Sequence, residues 1–261
     1  SELPLARSTF LQNYRDGTVT AGNMTGYHRN DFDLKRHWND ICITINNRDP
    51  FYALKDWRKV FRLVLSQDNV IYIKIVDERF HDKSSPLKRL FSTEASRYFS
   101  AYRMFKQIDI STPELLFTLG EKRGLFWTKS IMGTKELKNH VAFTEYFVNT
   151  YLEKPNLKEM ILQETACLTA RLHSLGFYFS MNGQNILIRR PYLEGENNIS
   201  LIDLDHVKKS IFLKIPERRR KRNLERLKST MKETAGLVES DYEIFLSHYN
   251  GYFYSNKNRH H

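Results

Sequence analysis

The spacing of apolar residues changes character twice along the 261 residues. Residues 1–50 are polar and irregular, with glycines at 17, 22 and 26, and only Ile41-Cys42-Ile43-Thr44-Ile45 alternates in the manner of a strand. From Trp57 onward the pattern has period two. Lys59 to Leu65 and Val70 to Val76 read as strands joined by the turn Ser66-Gln67-Asp68-Asn69. Pro86 to Gln107 then carries Leu87, Leu90, Phe91, Ala95, Tyr98, Phe99, Tyr102 and Phe105 at helical spacing. After Ser111-Thr112-Pro113, Glu114 to Leu119 and Leu125 to Ile131 predict two more strands around a turn bounded by Gly120 and Gly124. About five strands with one inserted helix make a small α+β unit. Gly133 marks its end, so the expected division is an N-terminal extension (1–50), a sheet lobe (51–132) and a mainly helical lobe (133–261).

In the second half helix dominates. Ile161, Thr165, Leu168, Leu172 and Leu175 follow one another at spacings of four, three, four and three, and Gly176 supplies a helix C-cap after His173. Next come two short apolar runs, Phe177 to Ile188 and Ser200 to Asp205, separated by turn formers. They predict a hairpin with Asn185 before one run and Asp203 after the other. An amide and a carboxylate side by side suit a hard divalent cation such as Mg²⁺, which prefers oxygen donors and keeps water or phosphate in its remaining positions. The plainer alternative is a hairpin with a capping Asn and a surface Asp. Pro216 to Lys228 is a strongly basic helix start, either a solvated face or a site for phosphorylated or membrane-surface partners.

Two single residues alter this picture. Lys74 sits inside an apolar strand, where alternation puts it on one face with Tyr72 and Val76 and leaves Ile71, Ile73 and Ile75 on the other. An ammonium there needs an anionic partner, a carboxylate or a bound phosphate, unless the strand is an edge and Lys74 faces solvent. Glu94 is the lone carboxylate among the basic residues of the 86–107 helix and is a candidate partner.

Composition narrows the classes. Forty-one Lys and Arg against 30 Asp and Glu give a net charge of +11, which attracts nucleic acid, anionic lipid or phosphorylated substrates without choosing among them. Nucleic acid is the least supported partner, because no recognition helix, zinc spacing or aromatic ribonucleoprotein motif occurs. No run of about 18 apolar residues is present, and residues 1–20 lack a signal-peptide core, so a cytoplasmic location is expected. Cys42 and Cys167 have no metal or redox spacing and read as buried thiols.

The order of these parts resembles the protein-kinase-like superfamily: a strand lysine, a helix carboxylate, a helical lobe, then Leu172-His173 with Gly176, Asn185-Ile186-Leu187-Ile188 and Leu201-Ile202-Asp203. Within it, Ile71 to Lys74, Ser84 to Leu90, Ile110 to Pro113, Arg171 to Leu187 and Arg222 to Ser229 are most similar to the bacterial lipopolysaccharide-core sugar kinases, the Kdo and heptose kinases. The resemblance covers roughly residues 55–235 and implies a two-lobe kinase fold that transfers phosphate from ATP to a sugar hydroxyl of an anionic glycolipid. It implies Lys74 on the nucleotide phosphates paired with Glu94, and Asn185 and Asp203 on Mg²⁺, with Asp205 of the Asp-x-Asp pattern assisting. It also implies work at the inner face of the cytoplasmic membrane, with the Arg218–Lys228 run toward the lipid.

Three features depart from that family pattern. Residues 27–119 contain no glycine, so no glycine-rich loop covers the nucleotide. Glu94 falls about one helical turn before the expected carboxylate. Five residues before Asn185, where the superfamily carries its catalytic aspartate, stands Ser180. A serine can hydrogen-bond a substrate hydroxyl but cannot accept its proton near neutral pH, and the base is worth typically about 10²–10⁴-fold in rate. Ser180 therefore leaves a second reading open, a pseudokinase that binds nucleotide or glycolipid in a regulatory role.

Overall fold

A computed structural model describes residues 14–19, 24–81, 88–150, 155–179, 182–210 and 215–258. The elements in chain order are β1 (Tyr14–Val19), β2 (Met24–Arg29), α1 (Leu34–Asn47), β3 (Tyr52–Lys55), β4 (Arg58–Ser66), β5 (Asn69–Asp77), α2 (Glu78–His81), α3 (Lys88–Phe91), α4 (Glu94–Gln107), β6 (Leu115–Arg123), β7 (Phe126–Lys135), β8 (His140–Ala142), α5 (Phe143–Thr150), α6 (Pro155–Ser174), β9 (Phe177–Tyr178), β10 (Ile186–Arg189), β11 (Ile199–Leu201), β12 (Lys208–Lys209), α7 (Glu217–Glu233) and α8 (Glu239–Asn258). The chain divides into two compact units between Leu137 and Lys138.

The first unit is an antiparallel sheet of seven strands rather than five, in the order β1-β2-β6-β7-β5-β4-β3. The extra members come partly from the segment read as an extension, whose β1 and β2 join the sheet beside β6. Register makes the two faces unlike. Ile73 stands opposite Phe61 and Ile71 opposite Leu63, and these four join Phe117, Leu119 and Ile131 in one apolar cluster with Leu34 and Ile41 of α1. The strand expected at Ile41–Ile45 is therefore a helix. Its apolar residues bury a helical stripe of Leu34, Trp38, Ile41 and Ile45 against the sheet, and Asp33 caps its first turn by accepting from the Arg36 N–H at 3.1 Å. Burial of that stripe outweighs the β preference of three isoleucines.

The opposite face carries Tyr72, Lys74 and Val76 of β5, Val60 and Arg58 of β4, and Met132 and Ser130 of β7, all in register. Helix α4 lies against β6 and β7 on this side. The single helix expected over 86–107 is broken. Thr93 takes an extended conformation and starts α4 with a reciprocal cap, its hydroxyl accepting from the Ser96 N–H at 2.9 Å and its own N–H donating to the Ser96 hydroxyl at 2.8 Å. Helix α4 thus begins at Glu94.

The second unit pairs long helices α6 and α8 and adds a three-stranded sheet, β11-β10-β8. Gly176 closes α6 as expected, with φ +77° and its N–H on the His173 carbonyl at 3.1 Å. Among the described residues no helix is long and apolar enough to cross a membrane. Cys42 and Cys167 are both half-buried, not fully buried as expected, and desolvation raises the pKa of each.

Candidate active site

In the first unit, the strand β5 that carries Lys74 lies between β4 and β7. That position disposes of the edge-strand alternative. The Lys74 ammonium meets the Glu94 carboxylate at 2.5 Å, and the Arg58 guanidinium reaches the same oxygen at 3.1 Å. The Glu94 side chain is fully buried, while those of Lys74 and Arg58 keep 12% and 11% of their exposure. A buried carboxylate is tolerable only when cations hold it, and here two do, each keeping a little exposed side-chain surface. The expected pairing of Lys74 with Glu94 is thus present although the carboxylate comes early. The hairpin beside β5, β3 to β4, turns over Asp56-Trp57 without a glycine.

Glu78 and Arg58 are participants that periodicity did not reveal. Glu78 opens α2 directly after β5, is buried, and accepts both the Glu94 backbone N–H at 2.7 Å and the Ser130 hydroxyl at 2.5 Å. Desolvation pushes its carboxyl above the ordinary range, against the Ser130 and Glu94 hydrogen bonds and the nearby Arg97 charge. Nothing in Asp77-Glu78-Arg79 distinguishes Glu78 from a surface acid by sequence. Arg58 could have been found: it shares a face with Val60, which stands opposite Lys74.

In the second unit the hairpin forms as expected. Ile186 pairs with Leu201, and the Ile202 N–H donates to the Asn185 carbonyl at 3.0 Å, which puts Asn185 and Asp203 at the same end. The Asn182 side chain and carbonyl both accept the Asn185 N–H, at 2.9 and 3.0 Å. Gly183 in that turn is needed: a Cβ there would come within 2.4 Å of Thr144 and 2.8 Å of Thr230. Asp203 has left-handed backbone angles, φ 60° and ψ 50°, a strained choice for a residue with a side chain and one that concentrates at functional sites. The Asp205 side chain is fully buried, 3.2 Å from His206 Nε2, and its carboxylate lies within 4.8 Å of that of Asp203. One amide and two carboxylates form a hard oxygen set, one member desolvated, and so fit Mg²⁺.

Behind the hairpin, Glu164 of α6 accepts from the Tyr192 hydroxyl at 3.1 Å and the Asn198 N–H at 2.8 Å. Burial and Glu164 push the Tyr192 phenol up to about 12. The Asn198 amide closes the loop by accepting from Leu193 N–H and donating to the Leu193 and Glu196 carbonyls. Ser180 lies outside the described residues, but the chain leading to it is held. Asn223 of α7 donates to the Phe179 carbonyl, and its amide oxygen lies 3.1 Å from His173 Nε2. The other ring nitrogen of His173 is 2.9 Å from the Tyr249 hydroxyl of α8. Three helices therefore meet at the entrance to the Ser180 segment. The motif stretches contained His173 and Asn223, but only the fold shows what they do.

Helix α7 buries Asn223, Leu224, Leu227 and Met231 and exposes Arg218, Arg219, Lys221, Arg222 and Arg226. At its far end Lys228 and Lys232 both bind Glu239, at 2.5 and 2.8 Å. The exposed basic surface is thus concentrated in the first half of the run.

The model of the lipopolysaccharide kinase (Kdo/WaaP) family matches residues 51–249. A solved structure titled "WaaP in complex with acyl carrier protein" superposes with a TM-score of 0.62 at 19% identity, over 83% of this chain and 86% of that one. At that identity the superposition establishes a shared kinase-like fold. No curated protein matches the sequence.

His173 gives a direct test of the buried network. Burial, with the Arg220 charge adding to it, lowers its pKa from 6.5 to about 4 against the opposing pull of Asn223. A histidine whose folded pKa is depressed binds its proton more readily when unfolded, so its contribution is complete above pH 6.5 and is lost as pH falls toward 4. Stability measured by urea unfolding at fixed pH should drop by roughly 3 kcal/mol across that window. His173→Gln should flatten the drop, and an unchanged slope would contradict the assignment.

Proposed function

The chain belongs to the lipopolysaccharide kinase (Kdo/WaaP) family, and we propose that it binds Mg-ATP and phosphorylates a sugar hydroxyl of a lipopolysaccharide core. The supporting observation is the buried Lys74–Glu94 pair, because an ammonium on a central strand held by a helix carboxylate is the arrangement that fixes nucleotide phosphates in this superfamily. Lys74, oriented by Glu94, neutralises phosphate oxygens, and Arg58 beside it adds a second cation of the same reach. Asn185, Asp203 and Asp205 are the residues that would hold Mg²⁺, and the bound ion would supply charge neutralisation on the triphosphate. With no carboxylate at position 180, the work falls on positioning and charge, terms that survive the loss of a base.

The acceptor is an anionic glycolipid, Kdo- or heptose-bearing, and the exposed arginines of α7 match its charge and that of a cytoplasmic membrane surface. The WaaP of the superposition is joined to an acyl carrier protein, and the same basic face of α7 is the surface we assign to any acidic partner of this chain. Ser180 favours one other reading, a pseudokinase that retains nucleotide or glycolipid binding for regulation.

Thermal shift separates these readings from their failure. Mg-ATP should raise the melting temperature of the native chain by a few degrees, as expected for a ligand well above its Kd. Lys74→Ala and Asp203→Ala should abolish the rise, and a native chain that does not respond would remove both nucleotide readings. For turnover, ATP consumption with a Kdo-lipid acceptor should be compared between the native chain and Ser180→Asp. Measurable native activity, raised about 10²-fold or more in the Asp variant, supports a slow kinase. Activity confined to the Asp variant supports the pseudokinase.

A further inference from the structure

The early position of Glu94 raises a physical question. It is the first residue of α4, and first turns are where helices fray, since their N–H groups lack partners within the helix. A carboxylate that must stay buried against Lys74 needs that turn immobilised. The Thr93–Ser96 cap satisfies two of the groups. The Glu94 N–H itself goes to Glu78 Oε1, and the same oxygen accepts the Ser130 hydroxyl from β7. Glu78 follows directly on β5, the strand of Lys74. One buried carboxylate oxygen therefore ties the end of the lysine strand, the neighbouring strand and the start of the glutamate helix together.

We propose that Glu78 is a positioning residue for the nucleotide site: it anchors the first peptide group of α4 and so holds Glu94 against Lys74. This rests on the nucleotide-binding reading given above. Its negative charge also faces the N-terminal end of α4, the end at which anions are stabilised. The cost of burying that charge shows in its raised pKa, and a group kept buried against such a cost is one whose two hydrogen bonds matter. Kinase-type sites depend on the placement of the helix that carries the carboxylate. In this chain the tether is made by residues of the first unit alone.

Mg-ATP affinity, measured by calorimetry well below each variant's melting temperature, tests the proposal. Glu78→Ala should weaken binding about tenfold, the value of one hydrogen bond to a charged group. Glu78→Gln should restore affinity to within about threefold, because its amide oxygen can accept both donors. In a Glu94→Ala background, Glu78→Ala should have no further effect, since residues acting through one group are not additive. Equal affinity in the native and Glu78→Ala chains, or a tenfold loss that persists without Glu94, overturns the positioning role. Should Glu78→Ala fail to fold, Ser130→Ala removes one donor. It should weaken binding about threefold, by loosening Glu78, only while Glu94 is present, and no loss overturns the role equally. A native chain that does not bind Mg-ATP at all overturns the nucleotide reading itself, a result distinct from the others.

Discussion

The first unit is arranged around a single constraint, a carboxylate that is wholly buried and must remain charged. Glu94 has no exposed side-chain surface, and isolated ionised groups are not stable in such surroundings. Its cations come from two neighbouring strands, Lys74 from β5 and Arg58 from β4, on the one face that register leaves for polar residues. The other face is apolar and covered by α1. Removing one partner of such a pair leaves an uncompensated buried charge, typically a loss of about 3–5 kcal/mol, so the sheet register and the start of α4 are specified together.

The second unit meets a comparable demand by other means. The carboxylates of Asp203 and Asp205 lie within 4.8 Å of each other. The β10–β11 pairing, the left-handed backbone at Asp203 and the burial of Asp205 fix them at one end of the hairpin with Asn185. The other end is tied to α6 through Glu164 and Asn198. The segment before Ser180 is held by Asn223 and a histidine that burial keeps neutral. The approach to position 180 thus keeps its hydrogen bonds to α6, α7 and α8.

How much of this could be read from the chain follows from which signals are local. The strands from Lys59 to Val76, the lysine face, the hairpin and the Gly176 cap were legible because period-two alternation and turn chemistry act over a few residues. The Ile41–Ile45 segment misled because alternation over five residues is compatible with either element. Its burial as a helix depends on Leu34 and Trp38 upstream and on a sheet face assembled from distant strands. Thr93 was hidden for a different reason, since the reciprocal partner at its third position is Ser96 instead of the more usual Glu or Gln. Glu78 and Asn223 lie furthest from sequence reasoning. Their partners are 16, 52, 44 and 50 residues away, and only the folded chain brings them together.

The central claim is that Lys74 is held by a buried carboxylate yet open to a nucleotide's phosphates. Amine-specific labelling followed by mass spectrometry at a single pH reads this residue by residue. The account predicts that Lys74 reacts slowly beside exposed lysines such as Lys35, reacts faster in Glu94→Gln, and is protected further by Mg-ATP in the native chain. Labelling of Lys74 as fast as an exposed lysine, indifferent both to Glu94→Gln and to Mg-ATP, would contradict it.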